Sequence, residues 1–511
     1  MAAERARHVD NLLSDPRKAL LSMSLPLLIA ILVENLQTFI DGMWCSGLGT
    51  AALSAISISS CIYSMIVAIG TGIAVGASAA IARHIGANEI DSAEKVIPTT
   101  FLIILILSIA TSAILYLVAE PIVSFVGQGE NVDLCMEYVR PFLFCSFFLM
   151  MNSVWVGILR GEGASLICMG MSVIASMINI ILDPVLIYGM DLGVTGASVA
   201  TCISYIAVTV VGSLYYLSGR TYLKLRFRGF RPDRRTTRDV LVVGGPCALE
   251  MFVAPLLTIP QNAIVFSCGG SGGMVAYTYA FRFIDLALIP ANAISKSLIP
   301  IISADIGQRS PERVVESCRI TYRVTLKIGF FFMVSILLSA GWLVELFMNS
   351  ESMLDVRDEM VLALRIFTLT CVFHTFRLVG TAILQATEHA VQASILTLIR
   401  EFVFLGTFYI AGFYSMEAIF WACDLTNFVM MIVISAFAYS ALRKLVGEMG
   451  GGDVRLFHNA EKNRWPLQDP PRGSQEPLEG GRRVQKNVLS VLNPEGVWGR
   501  NRSVPMLRIR S

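Results

Sequence analysis

Charge is scarce in this chain. Of 511 residues only 15% are Asp, Glu, Lys or Arg, 55% are hydrophobic, and the mean hydropathy is +0.65. Soluble domains carry about a quarter charged residues, so an ordinary soluble enzyme and a disordered protein are both excluded. Cysteine clusters are missing too. The eleven cysteines lie singly in apolar runs, as Cys61, Cys145, Cys168, Cys202 and Cys371 do. No CxxC or Cys/His group has metal-ligand spacing, so they read as small buried hydrophobes. A net charge of +2 is too small to suggest nucleic acid as the main partner. The N-terminus, MAAERARHVDNLLSDPRKALL, lacks the short apolar core and small-residue cleavage site of a signal peptide. The first apolar run is therefore expected to stay as a membrane span.

What the chain does have is long apolar runs. A helix needs about 20 apolar residues to cross a bilayer. Twelve runs qualify: 20–43, 52–82, 95–118, 134–158, 165–189, 194–218, 238–267, 274–304, 318–346, 359–385, 391–413 and 416–442. Open strands would leave backbone groups unsatisfied in lipid, and the alternating ten-residue segments of a barrel do not occur. The expected fold class is an all-α polytopic membrane protein with twelve transmembrane helices.

Loop charges give its orientation. Arg5, Arg7, Arg17 and Lys18 precede span one, Arg83 and Lys95 follow span two, and Arg160 follows span four. The middle loop holds Arg220, Lys224, Arg226, Arg228, Arg231, Arg234, Arg235 and Arg238. Arg309, Arg313 and Arg319, then Arg443 and Lys444, fall on the same side. The opposite loops are nearly free of Lys and Arg, with Arg357 the exception; residues 118–133 carry Glu120, Glu130 and Asp133. The positive-inside rule then puts both termini in the cytoplasm of a plasma-membrane protein.

The chain also repeats itself. Pro26 in span one has Pro246 in span seven. IARHIGANEIDSAEKV (81–96) matches ISADIGQRSPERVVE (302–316), pairing Gly86 with Gly307. LRGEGASL (159–166) parallels LQATEHAV (384–391), and IYG (187–189) parallels IAG (410–412). A near-constant offset implies two pseudo-symmetric six-helix bundles, with substrate sites expected between them. The divisions are an N-lobe (1–218), a basic linker (219–239), a C-lobe (240–445) and a disordered cytoplasmic tail (446–511) rich in Gly, Pro and charge.

Ionisable groups inside the bilayer are costly, about 2.5–3.5 kcal/mol each on insertion scales, and are functional candidates by default. Glu34 and Asp41 lie two turns apart in span one, with Gln37 between them. Asn179 and Asp183 stack at a spacing of four in span five. Two carboxylates and an amide in one bundle suit either an oxygen cage for Na+ or a shared-proton site; a purely structural polar cluster is the other reading. Pro26 frees the Ser22 carbonyl, so a bendable first helix is expected. The second half has no matching aspartates, and Gln261 stands where Asp41 would. It offers Glu250, Arg282, Asp285, Lys296, His374, Arg377, Arg400 and Glu401, several of them expected to form buried ion pairs. Glu34, Gln37, Glu250, Gln261, Lys296 and Arg377 are candidates for a substrate or secondary polar site.

SLPLLI…TFIDGMWCSGLGTAALSA, GTGIAVGASAAIARHIGAN, LRGEG and NIILDPVLIYGMDLGVTGASVATCISY stand in the order found in the multidrug and toxic compound extrusion (MATE) family. The chain resembles that family over roughly 17–445. The resemblance implies antiport with H+ or Na+ that exports amphipathic, often cationic organic compounds, or flavin-like and other metabolites, by alternating access. It implies an N-lobe cation site at Asp41, Asn179 and Asp183, completed by Tyr138 and Thr201, and bending of the first helix at Pro26. It implies a C-lobe acid in span seven as well, but Glu250, four residues after Pro246, comes earlier than that acid. No cofactor and no resident metal is expected, only the coupling ion, H+ or Na+; Na+ would sit at Asp41, Asn179, Asp183 and Thr201. The expected partners are small organic substrates and the lipid bilayer, not nucleic acid, and the expected state is a monomer. A lipid-linked oligosaccharide flippase of related fold is the alternative, keyed to Arg282, Lys296 and Arg377. A membrane enzyme is a further rival, but neither FIDG nor LDPV supplies a GxGD protease motif, and the expectation is a non-enzyme.

Overall fold

Pro16 at the first helical position and Asp15 as N-cap, accepting from the Arg17 amide at 3.0 Å, start the first long helix. The computed structural model describes residues 8–126, 131–219, 221–225, 230–345, 356–451 and 454. The readings for Arg5, Arg7, Glu130, Arg220, Arg226, Arg228 and the tail from 455 lie outside the described residues. The first half comprises α1 (Pro16–Ser46), α2 (Thr50–Gly86), α3 (Ile90–Val126), α4 (Val132–Gly161), α5 (Ser165–Pro184) and α6 (Gly193–Leu217). A π-helical turn, Val185–Gly189, extends α5. α1 runs as one helix through Pro26.

The second half opens on a run of 74 residues, Arg234–Gly307, far too long for one span. Its backbone breaks at Gly270 (φ 59°, ψ −155°), a conformation that essentially only glycine adopts. The break separates α7 (234–269) from α8 (271–307). Then come α9 (Pro311–Glu345), α10, α11 (Ala390–Ala411) and α12 (Met416–Glu448). α10 is broken, bending by 42° between Arg357–Phe367 and Thr370–Ala386. The described residues thus form twelve apolar helices, six to a bundle, with no strand among them.

Two boundaries differ from the sequence expectation. α7 begins at Arg234, inside the expected 219–239 linker, because Asp233 caps it and accepts from the Thr236 amide at 3.4 Å. α12 runs to Glu448, past the expected boundary at 446, and Val446 and Val454 are buried against the C-lobe. The early linker is fastened to the N-lobe: Leu223 is fully buried and the Lys224 amide donates to Glu94 at 3.2 Å.

The repeated sequence marks have a local cause. α2, α4, α8 and α10 all end the same way, on a residue with positive φ at Asn88 (60°), Gly163 (79°), Arg309 (52°) and Glu388 (62°). The next amide then reaches back five residues: Glu89 to His84, Ala164 to Leu159, Ser310 to Asp305, His389 to Leu384, at 2.8–3.1 Å. This is a Schellman stop, repeated four times on the side bearing the basic loops.

The lobes meet along α2 and α8 near those stops. From Met65 to Gly86 no residue of α2 is exposed, and from Ala287 to Gly307 only Lys296 is. The contact has two-fold character. A Cβ on Gly86 would lie 2.1 Å from the Ala304 carbonyl oxygen, and one on Gly307 would lie 2.1 Å from that of Arg83. Each glycine faces the carbonyl three residues before its counterpart. Higher up, Gly72 abuts Ala248 and Gly76 abuts Val240 and Gly244 on α7. Around this seal Arg83 pairs with Glu388, and His84 lies 3.4 Å from Asp239. Arg313, ion-paired to fully buried Asp305 at 2.8 Å, donates to the Leu13 and Ser14 carbonyls at 3.2 and 2.7 Å.

Candidate functional site

Near the ends of α1 and α5 away from the basic loops, the N-lobe gathers its polar side chains. Asn179 and Asp183 stack one turn apart on α5 and are buried, at 0% and 1% exposure. Across from them stands Asp41 of α1, whose carboxyl group is within hydrogen-bonding reach of Asp183. With its side-chain nitrogen toward α1, Asn179 donates to both Asp41 oxygens at 3.0 and 3.2 Å. Its other terminal atom lies 3.3 Å from Asp183 Oδ1 and from Thr201 Oγ1 on α6. The amide therefore stands between the two acids. Asp183 Oδ2 is buried and has no protein partner among the described residues. Two carboxylates at this separation repel unless a proton or a cation lies between them.

The backbone holds this cluster in place. Directly after Pro184 the helix widens into its π turn, closed by the Met190 amide on the Val185 carbonyl at 2.9 Å. Tyr188 on that turn donates to the Trp44 carbonyl at 2.5 Å, tying α5 to the end of α1. Gln37 belongs to the cluster: it bonds Asn179, reaches Asp41 Oδ2 at 3.5 Å, and accepts from Ser176 at 2.7 Å. Ser176 was not foreseen, since a serine in an apolar helix is an unremarked small residue. Tyr138 of α4 sits beside Cys45, Ile187 and Ala197, its ring edge-on to Phe142 at 5.1 Å.

The C-lobe holds a counterpart with its parts exchanged. Gln261 of α7 occupies the place of Asp41, and it donates to the Glu401 carboxylate at 3.2 Å and to the Glu401 carbonyl at 3.3 Å. Glu401 on α11 stands 222 residues after Asn179. The N-lobe pairs an acid on its first helix with an amide on its fifth, whereas the C-lobe pairs an amide with an acid. Arg400 neutralises Glu401 by a direct ion pair. A cavity of about 440 Å³ opens here, lined by Gln261, Arg282, Asp285, His374, Arg400 and Glu401, among others. Arg377 is buried and bonded to His374, 2.8 Å from its Nε2. Glu250 has one oxygen buried without a partner. Sequence reasoning also missed Asp424 of α12. It is buried, accepts from Thr370 at the α10 break, and lies one turn from Asn427, which donates to Thr370 at 3.3 Å. The visible signal was an aspartate and an asparagine three apart in the apolar run WACDLTN.

Glu34 and Lys296 join neither cluster. They face one another's surroundings between the lobes, together with Arg160 at the end of α4.

Two related bundles of membrane-spanning helices, with buried acids inside and charged groups between them, define a polytopic membrane transporter. The comparisons with known proteins make this specific. The MatE family model matches the chain twice, over residues 26–185 and 246–410, more than half its length. The chain belongs to the MatE family of multidrug and toxic compound extrusion transporters. The two matches begin at Pro26 and Pro246, so they fall on the repeat. Among its relatives is a FAD transporter of Shewanella oneidensis, 27% identical over 433 residues, covering 82% of this chain and 94% of that one. The multidrug export protein MepA of Staphylococcus aureus (strain MRSA252) is 23% identical, covering 79% and 89%. A multidrug resistance MATE family transporter of the MOP superfamily, solved in an outward-facing conformation, superposes with a TM-score of 0.80 at 28% identity, covering 86% of this chain and 98% of that one. These relatives do not favour the flippase reading.

Proposed function

We propose that this protein is a secondary active exporter of the plasma membrane, with both termini cytoplasmic, that expels small organic compounds in exchange for H+ or Na+. The observation that carries the reading is the pair of acids about one buried amide: Asn179 lies between Asp41 and Asp183, and Asp183 Oδ2 is buried with no protein partner among the described residues, so loading one acid changes the charge the other meets. Asp41, Asn179, Asp183 and Thr201 carry the coupling ion, and Tyr138 closes the site. The basic loops mark the cytoplasmic side, so the α2–α8 seal is cytoplasmic and the cavity in this conformation opens outward. Ion loading at α1 and α5 favours a rearrangement of α1 about Pro26, substrate leaves outward, and the ion is released after the lobes reverse. A ligand drives such a cycle only by binding the two states unequally.

The protein acts as a monomer in the bilayer and performs no chemistry on its cargo. FAD export by one relative and multidrug export by another bracket the cargo as small and organic. Efflux of a fluorescent dye from vesicles under imposed H+ or Na+ gradients tests the reading. Wild type should couple to one gradient, and Asp41→Asn should abolish the coupling. Unchanged coupling in Asp41→Asn would remove the ion site from α1; no coupling of wild type to either gradient would remove antiport.

A further inference from the structure

Lys296 is out of keeping with its helix. Between Ala287 and Gly307 it alone is exposed, while Ala293, Ser295, Ser297, Ile299 and Pro300 around it are buried. A lipid-facing lysine would share a stripe of exposed residues at three- and four-residue spacing. A lone exposed position on a helix buried on every other face opens onto an internal, water-accessible space. Arg160 repeats the pattern: it is half-buried while Ile158, Leu159, Gly161 and Glu162 are buried, and its Nε has no partner. Lys296 of α8 and Arg160 of α4 act electrostatically on each other and on Glu34 of α1, so all three face one space between the lobes. Gly157 and Gly161 press α4 against α2 at Ala74 and Ser78, just above the seal. The two basic groups therefore stand just above the seal, at the closed end of the space between the lobes. Tyr63 and Tyr205, hydrogen-bonded to each other at 3.0 Å, lie in the field of Glu34.

Charge accounting separates this closed end from the rest of the interior. In the C-lobe Arg400 is paired with Glu401, Arg377 shares the field of Glu250, and Arg282 that of Asp285. Lys296 and Arg160 have no ion pair or side-chain hydrogen bond among the described residues, and one acid, Glu34, stands against the two. Two cations against one acid in a low-dielectric cleft leave a net positive charge that repels a cationic guest and attracts an anionic one.

We propose that the closed end of this space is an anion-binding subsite and that the cargo is an organic anion. Its phosphate or carboxylate seats between Lys296 and Arg160, and its flat apolar body lies toward Tyr63 and Tyr205. This rests on the exporter reading above and narrows its cargo, among the cationic compounds and flavin-like metabolites that the family resemblance implies, to those that carry an anionic group.

Equilibrium binding separates the two claims, because it needs no gradient. The full chain in a non-ionic detergent is titrated with riboflavin, riboflavin 5′-phosphate and ethidium, read by fluorescence. The two flavins differ only in the phosphate. Wild type should bind the phosphate about tenfold or more tightly than riboflavin, and the gap should shrink as salt rises from 0.05 to 0.5 M, on the order of a Debye length falling below 10 Å. Lys296→Met and Arg160→Gln should each narrow the gap, Lys296→Arg should keep it, and Lys296→Glu should turn the preference toward ethidium. Equal binding of the two flavins by wild type, or a wild-type preference for ethidium, overturns the anion subsite even if no variant folds. A preserved gap together with no gradient-driven flux in vesicles would overturn the exporter reading alone.

Discussion

Replacing either glycine of the reciprocal contact with alanine should unseat the seal between α2 and α8. In Gly86→Ala the new Cβ would lie 2.1 Å from the Ala304 carbonyl oxygen; in Gly307→Ala it would lie 2.1 Å from that of Arg83. Both neighbours are helix backbone, which cannot swing aside as a side chain can. Carbon contacts settle near 3.5 Å, so the two helices must part by more than about 1 Å. Overpacking of this kind costs about 1–3 kcal/mol, and the cost falls only on the sealed conformation. In the parted conformation alanine is, if anything, the better helix former. The equilibrium should shift roughly 5- to 150-fold away from the sealed state. The eleven cysteines are all free, so thiol labelling is unsuitable. Spin labels carried on non-natural residues at Asp91 and Glu312, which are exposed on the α3 and α9 sides of the seal, would report the separation by pulsed electron resonance. Both variants should lengthen the distance, and by similar amounts, because the contact is two-fold. Gly245→Ala, where a Cβ meets nothing within 4 Å, should leave it unchanged. An unaltered distance in Gly86→Ala, or opposite shifts in the two variants, would refute the seal as described.

Two further outcomes follow from the loops. Glu162, just past α4, is 1% exposed and accepts from Tyr216 at 2.6 Å; burial pushes its carboxyl up to about 8. The folded protein then holds a proton that the unfolded chain releases near pH 4.5. Stability should be full below that point and fall as pH rises toward 8, by up to about 5 kcal/mol. Thermal midpoints of wild type and Glu162→Gln should coincide near pH 5 and diverge at pH 9 in favour of the variant; parallel curves would exclude the effect. Arg309 holds φ 52° with an exposed side chain, so Arg309→Gly should stabilise by about 1 kcal/mol. A lowered midpoint would show that its side chain contributes more than its backbone costs.

Span count, repeat and N-lobe acids were legible in the sequence because each leaves a one-dimensional mark: apolar length, constant offset, a charge inside an apolar run. Gly86 and Gly307 were visible as equivalents, but their reason was not, since a reciprocal contact between helices 220 residues apart has no local signature. Gln261 was seen to replace Asp41, yet its link to Glu401 was hidden because the acid had moved to the opposite helix of the pair. Gln37 was grouped with substrate candidates and lies instead against Asn179. Lys296 could be flagged as a charge in a span, but only the burial of its neighbours shows which way it opens.

The fastening of the linker has a mechanical consequence. Lys224 is held on the N-lobe by Glu94, and Asp233 caps the first helix of the C-lobe. Eight residues lie between those anchors, so the connection spans about 30 Å at full stretch. The linker is therefore a leash, and its length, not the lobe contacts alone, sets a ceiling on how far the lobes can part on the side of the basic loops.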